Sequence, residues 1–229
     1  MTLSFTTWNP QTAYIFGYWL ADGNMHYQDS SGGYLVSIGS ADVAHLALLR
    51  DLLGAGRIQP IVGSAVAKLV ISRKVFYDAL LHLGGSERKS LTLQWPDLPQ
   101  GHLAHLVRGY IDGDGSLSWH RTGRSVQPHI GVLGTHHFLS GMGQAIVEAT
   151  GIPMPVCHTS GKSDRTWRLM WYGMAAKCLA IWLYRMHPGP VLARKAALAE
   201  AFVPWQPKVM RWGRITPQMR ELFAAYLPK

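Results

Sequence analysis

The sequence predicts an α+β protein made of two pseudo-symmetric halves, each ordered α-β-β-α-β-β-α and joined at a seam of two helices. Three observations carry this. A nonapeptide recurs at an offset of 92 residues, the stretches that follow the two copies run in parallel, and both copies hold small residues four positions apart.

The first element of each half is the nonapeptide itself, Ile15–Gly23 (IFGYWLADG) and Val107–Gly115 (VRGYIDGDG). The copies share Gly17/Gly109, Tyr18/Tyr110, Asp22/Asp114 and Gly23/Gly115, and small Ala21 answers small Gly113. Apolar and aromatic residues dense enough for a buried helix precede and fill each copy. Gly17 and Ala21 lie four apart, hence on one helix face, as do Gly109 and Gly113. Glycine inside a helix costs about 1 kcal/mol relative to alanine. Small residues kept on the same face of both copies point to two helices whose backbones touch. Gly23 and Gly115 are expected as left-handed caps that end the helices.

The remaining elements follow in order. A polar, glycine-punctuated stretch with alternating side chains (24–39 and 116–134) reads as a pair of strands. An apolar helical stretch comes next (41–53 and 136–150), then two more strand-like runs (57–72 and 154–172), then a closing helix (74–83 and 174–185). Arg88-Lys89 and Arg194-Lys195 then recur at an offset of 106, so the second copy carries insertions. The expected division is an N-terminal half at 1–84, a linker at 85–101 containing Gly85, Pro96 and Pro99, a C-terminal half at 102–202 and an extension at 203–229.

Composition narrows the function. The chain has 229 residues, 48% of them hydrophobic, and a formal net charge of +9, which suits a polyanionic partner, nucleic acid first. No apolar run is long enough to cross a bilayer, no basic amphipathic helix stands out, and the N-terminus lacks signal or transit character. A soluble protein that is not exported is expected. Cys157 and Cys178 are too few for a disulfide scaffold or a zinc site. His136-His137 is expected at a helix start rather than on a metal.

Asp22 and Asp114 are the anomaly. Each sits in the last turn of its helix, where the dipole disfavours a carboxylate by about 0.3–1 kcal/mol. Tight packing would also bring the two carboxylates together, raising the cost. A bound divalent cation removes both objections, and oxygen-only ligation points to Mg²⁺, which takes one or two carboxylates with phosphate oxygens and water.

The two nonapeptides resemble the paired signature of the LAGLIDADG homing endonucleases. The second copy, followed by Ser116-Leu117, is close to it; the first is looser, with Leu20 where the family has an acidic residue. The resemblance covers roughly residues 12–202. It implies a saddle-shaped antiparallel sheet in each half and a single chain that acts as a pseudo-dimer. It also implies hydrolysis of double-stranded DNA at a long, non-palindromic site that leaves short 3′ ends. Asp22 and Asp114 map onto the essential metal ligands, joined by the backbone carbonyls of Ala21 and Gly113. Mn²⁺ or Ca²⁺ would be able to stand in for Mg²⁺. Asp112 maps onto a supporting acidic position. Lys89 and Lys195 fall where the family often carries its active-site lysine, and Ser40 and Thr135 near its water-ordering residue.

Major-groove reading then falls to side chains on the strands, where arginine suits guanine and glutamine adenine. In the first half the candidates are His26, Gln28, Tyr34, Ser37, Arg57, Gln59 and Lys68. In the second they are His120, Arg121, Arg124, Gln127, His129, His158, Lys162, Arg165 and Arg168. The alternatives on the same scaffold are an RNA maturase and a DNA-binding regulator. Retention of both aspartates weighs against the first, and a tail with one amphipathic helix against the second.

Overall fold

A computed structural model describes residues 7–28, 33–98, 101–161 and 165–228, so Lys162 lies outside the described residues. The chain forms two compact units. One holds the residues up to Thr92 together with Pro96–Asp114, and the other holds Leu93–Trp95 and the chain from Gly115 onward.

The first unit begins with α1 (Pro10–Asp22). Asn9 caps it by accepting from the Gln11 and Thr12 amides, the Thr12 hydroxyl accepts the Asn9 amide in return, and Pro10 supplies a ready helical φ. Every residue from Thr12 to Leu20 is buried, as befits a helix that is apolar all round. β1 (Gly23–Gln28), β2 (Gly33–Ser40), α2 (Val43–Leu53), β3 (Arg57–Pro60), β4 (Ala67–Ile71) and α3 (Lys74–His82) follow. A 3-10 turn at Lys89–Leu91 precedes α4 (Leu103–Asp114), which completes the unit. The four strands pair antiparallel in the order β1-β2-β4-β3. Met25, Val36, Ile38, Leu69 and Ile71 share one face of that sheet and are buried, and this face supplies the core.

α1 and α4 meet backbone to backbone. A Cβ at Gly17 would sit 2.1 Å from the Leu106 carbonyl oxygen, and one at Gly109 would sit 2.0 Å from that of Tyr14. A Cβ at Gly113 would fall 2.4 Å from the Ala21 methyl. This is the two-helix seam, and it places both nonapeptides in one compact unit.

The second unit repeats the succession with β5 (Gly115–Thr122), β6 (Ser125–Gly134), α5 (His136–Thr150), β7 (His158–Thr159), β8 (Trp167–Tyr172) and α6 (Gly173–Ala180). Its sheet runs β5-β6-β8-β7, the same order as the first. α6 passes into a π-helical turn at Ile181–Arg185, and α7 (Ala193–Phe202) and α8 (Pro217–Leu222) end the chain. The segment after α7 is tied down. Thr216 donates to the Gly151 carbonyl, Gln218 donates to that of Glu148, and Met219 and Phe223 are buried.

One expectation is corrected. Gly23 is extended (φ −88°, ψ 156°), and Gly115 is not among the positive-φ glycines. Left-handed caps end α2 and α5 instead, at Gly54 (φ 59°) and Gly151 (φ 70°). Both nonapeptide helices run directly into strands, and an extended residue is what continues the chain. Gly23 is needed for space: a Cβ there would meet the Trp19 ring at 2.1 Å.

Candidate active site

Asp22 and Asp114 close α1 and α4, and both are exposed although the helices that carry them are buried. The seam brings the two ends together: the Cβ position of Gly113 lies 3.3 Å from Asp22 Oδ2. Lys89 completes the group. It is 5% exposed, with Nζ 5.0 Å from the centre of the Trp19 ring. Burial pulls its pKa down to about 8, against the attraction of Asp114 and Asp22, which raises it. Tyr110 feels the same two carboxylates, and burial first, then Asp114 and Asp22, push its phenol well above the usual range. Two carboxylates thus converge on one buried cation within the first unit.

The donor set fits a hard divalent cation. Among the described residues no cluster of three or more His, Cys, Asp or Glu side chains exists that could enclose a metal alone. Two exposed carboxylates leave coordination positions for phosphate oxygens and water, which is how Mg²⁺ is usually held.

Asp112 faces away from this group. It is 1% exposed and accepts a 2.7 Å hydrogen bond from the Tyr14 hydroxyl. His45 Nε2 lies 3.1 Å from the same hydroxyl, whose proton goes to Asp112, so the imidazole is the donor. Ser40 accepts from Tyr18 (3.2 Å) and from the Asp42 amide. Thr135 caps α5 by accepting from the Phe138 amide and donates to the Leu93 carbonyl, so its hydroxyl is committed to structure. Lys195 lies in the first turn of α7, 2% exposed, and donates 2.6 Å to the Gly115 carbonyl within the second unit. His136 and His137 begin α5, both exposed, and His136 packs edge-on to Trp167.

Strand register sorts the candidate readers. Cross-strand partners point to the same face, and the pairs Asn24↔Ser37, His26↔Leu35, Val70↔Arg57 and Lys68↔Gln59 define the face opposite the core. His26, Gln28, Ser37, Arg57, Gln59 and Lys68 therefore share the open face, with Ser37 buried among its neighbours. Tyr34 does not. It pairs with Tyr27 on the helix-packed face and meets Tyr77 of α3 edge to face, ring centres 5.2 Å apart.

On the second sheet, His120, Gln127, His129, His158 and Arg168 share the open face. Arg121 is one residue out of phase: it pairs with Val126 on the face of Trp119, which packs edge-on to Phe202 of α7. The aliphatic partner and the neighbouring tryptophan fix that phase. Arg124 follows the Gly123 turn and Arg165 precedes β8, both exposed. The open face also holds Tyr172, whose ring centre lies 4.7 Å from that of His129 and 5.0 Å from that of His120. Ser118 lies 3.1 Å from His129 Nδ1, and burial and the neighbouring His120 lower the His129 pKa.

Neither a family model nor a curated protein sequence matches the chain. Solved structures do. The LAGLIDADG meganuclease I-AabMI bound to uncleaved DNA aligns with a TM-score of 0.59 at 11% identity, over 85% of this chain and 89% of its own. The LAGLIDADG homing endonuclease I-GzeII in complex with its DNA target gives 0.60 at 10% identity, over 97% and 94%. I-LtrWI, a LAGLIDADG homing endonuclease bound to target DNA, gives 0.57 at 13%, over 84% and 89%. This chain has the LAGLIDADG homing-endonuclease fold.

Within the LAGLIDADG fold of this chain, three site-bearing residues escaped the sequence reading. Tyr172 and Asn24 were legible in principle, because each lies an even number of residues from a chosen reader, Arg168 and His26, and so on the same face. Glu87 carried no such signal. It stands in an irregular stretch, and its partners Tyr27 and Tyr77 belong to other elements.

Proposed function

We propose that this chain is a site-specific endonuclease of double-stranded DNA that works as a monomer on a long, non-palindromic target. The observation that carries this reading is the convergence of Asp22, Asp114 and buried Lys89 at the ends of two glycine-paired helices. Asp22 and Asp114, with the carbonyls of Ala21 and Gly113, would hold Mg²⁺, which when bound supplies the charge that activates water and stabilises the leaving oxygen.

The chain's own residues do the rest. The seam holds the two carboxylates at a fixed separation, because its backbones cannot approach further. Lys89 presents an ammonium to the reacting phosphate, and its low-lying pKa costs it little of its charge at pH 7. Lys195 serves as the corresponding cation of the second half. The open face of each sheet reads one half-site, with Arg57, Gln59 and Lys68 on the first, and His120, Gln127 and Arg168 on the second. Arg124 and Arg165 at turns meet phosphates, and short 3′ ends result from cutting across the minor groove. Different readers on the two sheets require different half-sites, together about 20 base pairs. A +9 chain gains affinity for any duplex through phosphate contacts, with a steep dependence on salt.

Selection of cleaved sites from a randomised duplex library in Mg²⁺, with light scattering on the resulting complex, tests the reading. One chain per duplex and an asymmetric consensus are expected. Two chains on a palindrome would refute the pseudo-dimer, and no cleavage at any site would refute the nuclease.

A further inference from the structure

Glu87 occupies an unusual position. Its Oε1 accepts 2.6 Å from the amide of Tyr27 and 3.0 Å from the hydroxyl of Tyr77, and its other oxygen lies 3.7 Å from His26 Nδ1. Tyr27 and His26 belong to β1, the edge strand of the first sheet, and Tyr77 to α3. A single carboxylate thus holds the free edge of the reading sheet to the helix behind it. The hydrogen bonds from Tyr27 and Tyr77 hold its pKa below the usual carboxylate range, so it is ionised at neutral pH.

Two residues later the chain inserts Lys89 beside Asp22 and Asp114. Between them stands Arg88 at φ 55°, the one positive-φ residue other than glycine among the described residues. A left-handed arginine is strained, and such strain persists only where the surroundings over-determine the backbone. On one side of Arg88 the surroundings are the Glu87 clamp, and on the other the Trp19 ring under the Lys89 ammonium. Loss of the clamp would remove the restraint on the N-terminal side of Arg88, and relaxation of Arg88 would displace Lys89.

We propose that Glu87 is a positioning residue: by anchoring to the edge of the DNA-reading strand β1, it forces Arg88 left-handed and so sets Lys89 within reach of the field of the two aspartates. The inference rests on the nuclease reading above for its catalytic consequence, though not for its geometry. It adds a coupling. DNA that engages His26 draws on a strand whose amide the same carboxylate holds, so that target contact and placement of the cation are linked through three consecutive residues, Glu87-Arg88-Lys89.

The test uses the full chain and three variants, Glu87→Ala, Glu87→Ala with Arg88→Gly, and Tyr77→Phe. Single-turnover cleavage and duplex Kd are measured on the selected target. Acetylation of Lys89 by acetic anhydride is followed by mass spectrometry without DNA. Glu87→Ala, which removes the acceptor of both hydrogen bonds, is expected to slow cleavage by roughly tenfold or more, as expected for a misplaced catalytic group, with Kd within about threefold. Lys89, protected in the native chain, becomes acetylated. Arg88→Gly in that background is expected to restore most of the rate, because glycine adopts the left-handed conformation without strain. Tyr77→Phe, which removes one hydroxyl, gives a smaller loss of the same kind and serves if Glu87→Ala fails to fold. Unchanged cleavage with Lys89 still protected would overturn the proposal. So would slower cleavage with Lys89 protected, or no recovery with Arg88→Gly. If the native chain cuts no DNA, the nuclease reading fails and the acetylation arm alone decides the clamp.

Discussion

Gly109→Ala is the sharpest probe of the seam. In an ordinary helix interior the change stabilises by about 1 kcal/mol, so the intrinsic expectation is a gain. Here the added methyl would lie 2.0 Å from the Tyr14 carbonyl oxygen and 2.9 Å from the Tyr18 amide nitrogen. Ordinary contacts fall at about 3.5–4.0 Å, so the helices must part by about 1.5 Å. Both obstacles are backbone, and no side chain can rotate away. Overpacking of this kind costs about 1–3 kcal/mol or more, and a net loss of about 3 kcal/mol follows once parted helices also give up contacts along their length. For a chain of this size that lowers the thermal midpoint by about 6–12 °C. Gly213→Ala is the control, since a Cβ there meets nothing within 4 Å, and it is expected to stay within about 0.5 kcal/mol of the parent. Thermal melts by circular dichroism compare the two. A midpoint for Gly109→Ala equal to or above the parent's would refute backbone contact between α1 and α4.

Other outcomes follow from the site. Asp22→Asn and Asp114→Asn should each abolish double-strand cutting while leaving duplex affinity within about tenfold, or ~1.4 kcal/mol; full cutting in Mg²⁺ by either would remove the metal assignment. Lys89 titrates near 8 when folded against 10.5 when unfolded, so the folded state sheds its proton first. The burial penalty is therefore complete below pH 8 and fades as pH rises to 10.5, and stability gains over that window. Lys89→Met should be more stable than the parent by about 3 kcal/mol at pH 7 in metal-free buffer, with the difference gone above pH 10.5. Denaturant melts showing a pH-independent difference would contradict this, and loss of cleavage should accompany the gain. Cys178 is buried, and burial raises its thiol to about 12, so alkylation at pH 8 should reach it only on unfolding. Labelling of native Cys178 at the rate of an exposed thiol would show that α6 opens readily.

How much of this was legible in the chain depended on which physical cause decided each feature. The order of elements followed from period and punctuation, and Gly17 and Gly109 announced the seam because glycine in a helix demands a reason. Phase was harder. Tyr34 and Arg121 have the polar or aromatic character of strand readers, yet one residue of register turns a side chain to the opposite face, and register comes from pairing rather than local sequence. At Gly23 glycine has two possible uses, and only the position of the Trp19 ring decides between conformation and space. Asp112 resembled a second site carboxylate, and its commitment to Tyr14 depends on a helix 98 residues away in sequence.

The seam contacts obey a reciprocity. Gly17 meets Leu106 and Gly109 meets Tyr14, and each contact becomes the other when every residue is exchanged for its counterpart in the repeat. That is the pattern of an isologous interface, the kind two identical subunits make about a twofold axis. Exchange fails at the polar contact of Tyr14. Tyr14 donates to Asp112, whereas the counterparts of that pair are Leu106 and Leu20, both buried hydrocarbon. A symmetric dimer of the second half would set Leu106 against Asp112 on both sides and deprive two buried carboxylates of the tyrosine hydroxyl. A symmetric dimer of the first would leave two tyrosines facing leucine. Covalent fusion is what permits one polar and one apolar contact across the same axis. The seam is thus asymmetric in a way that cutting the chain in two cannot preserve: neither half alone is expected to rebuild it with a second copy of itself.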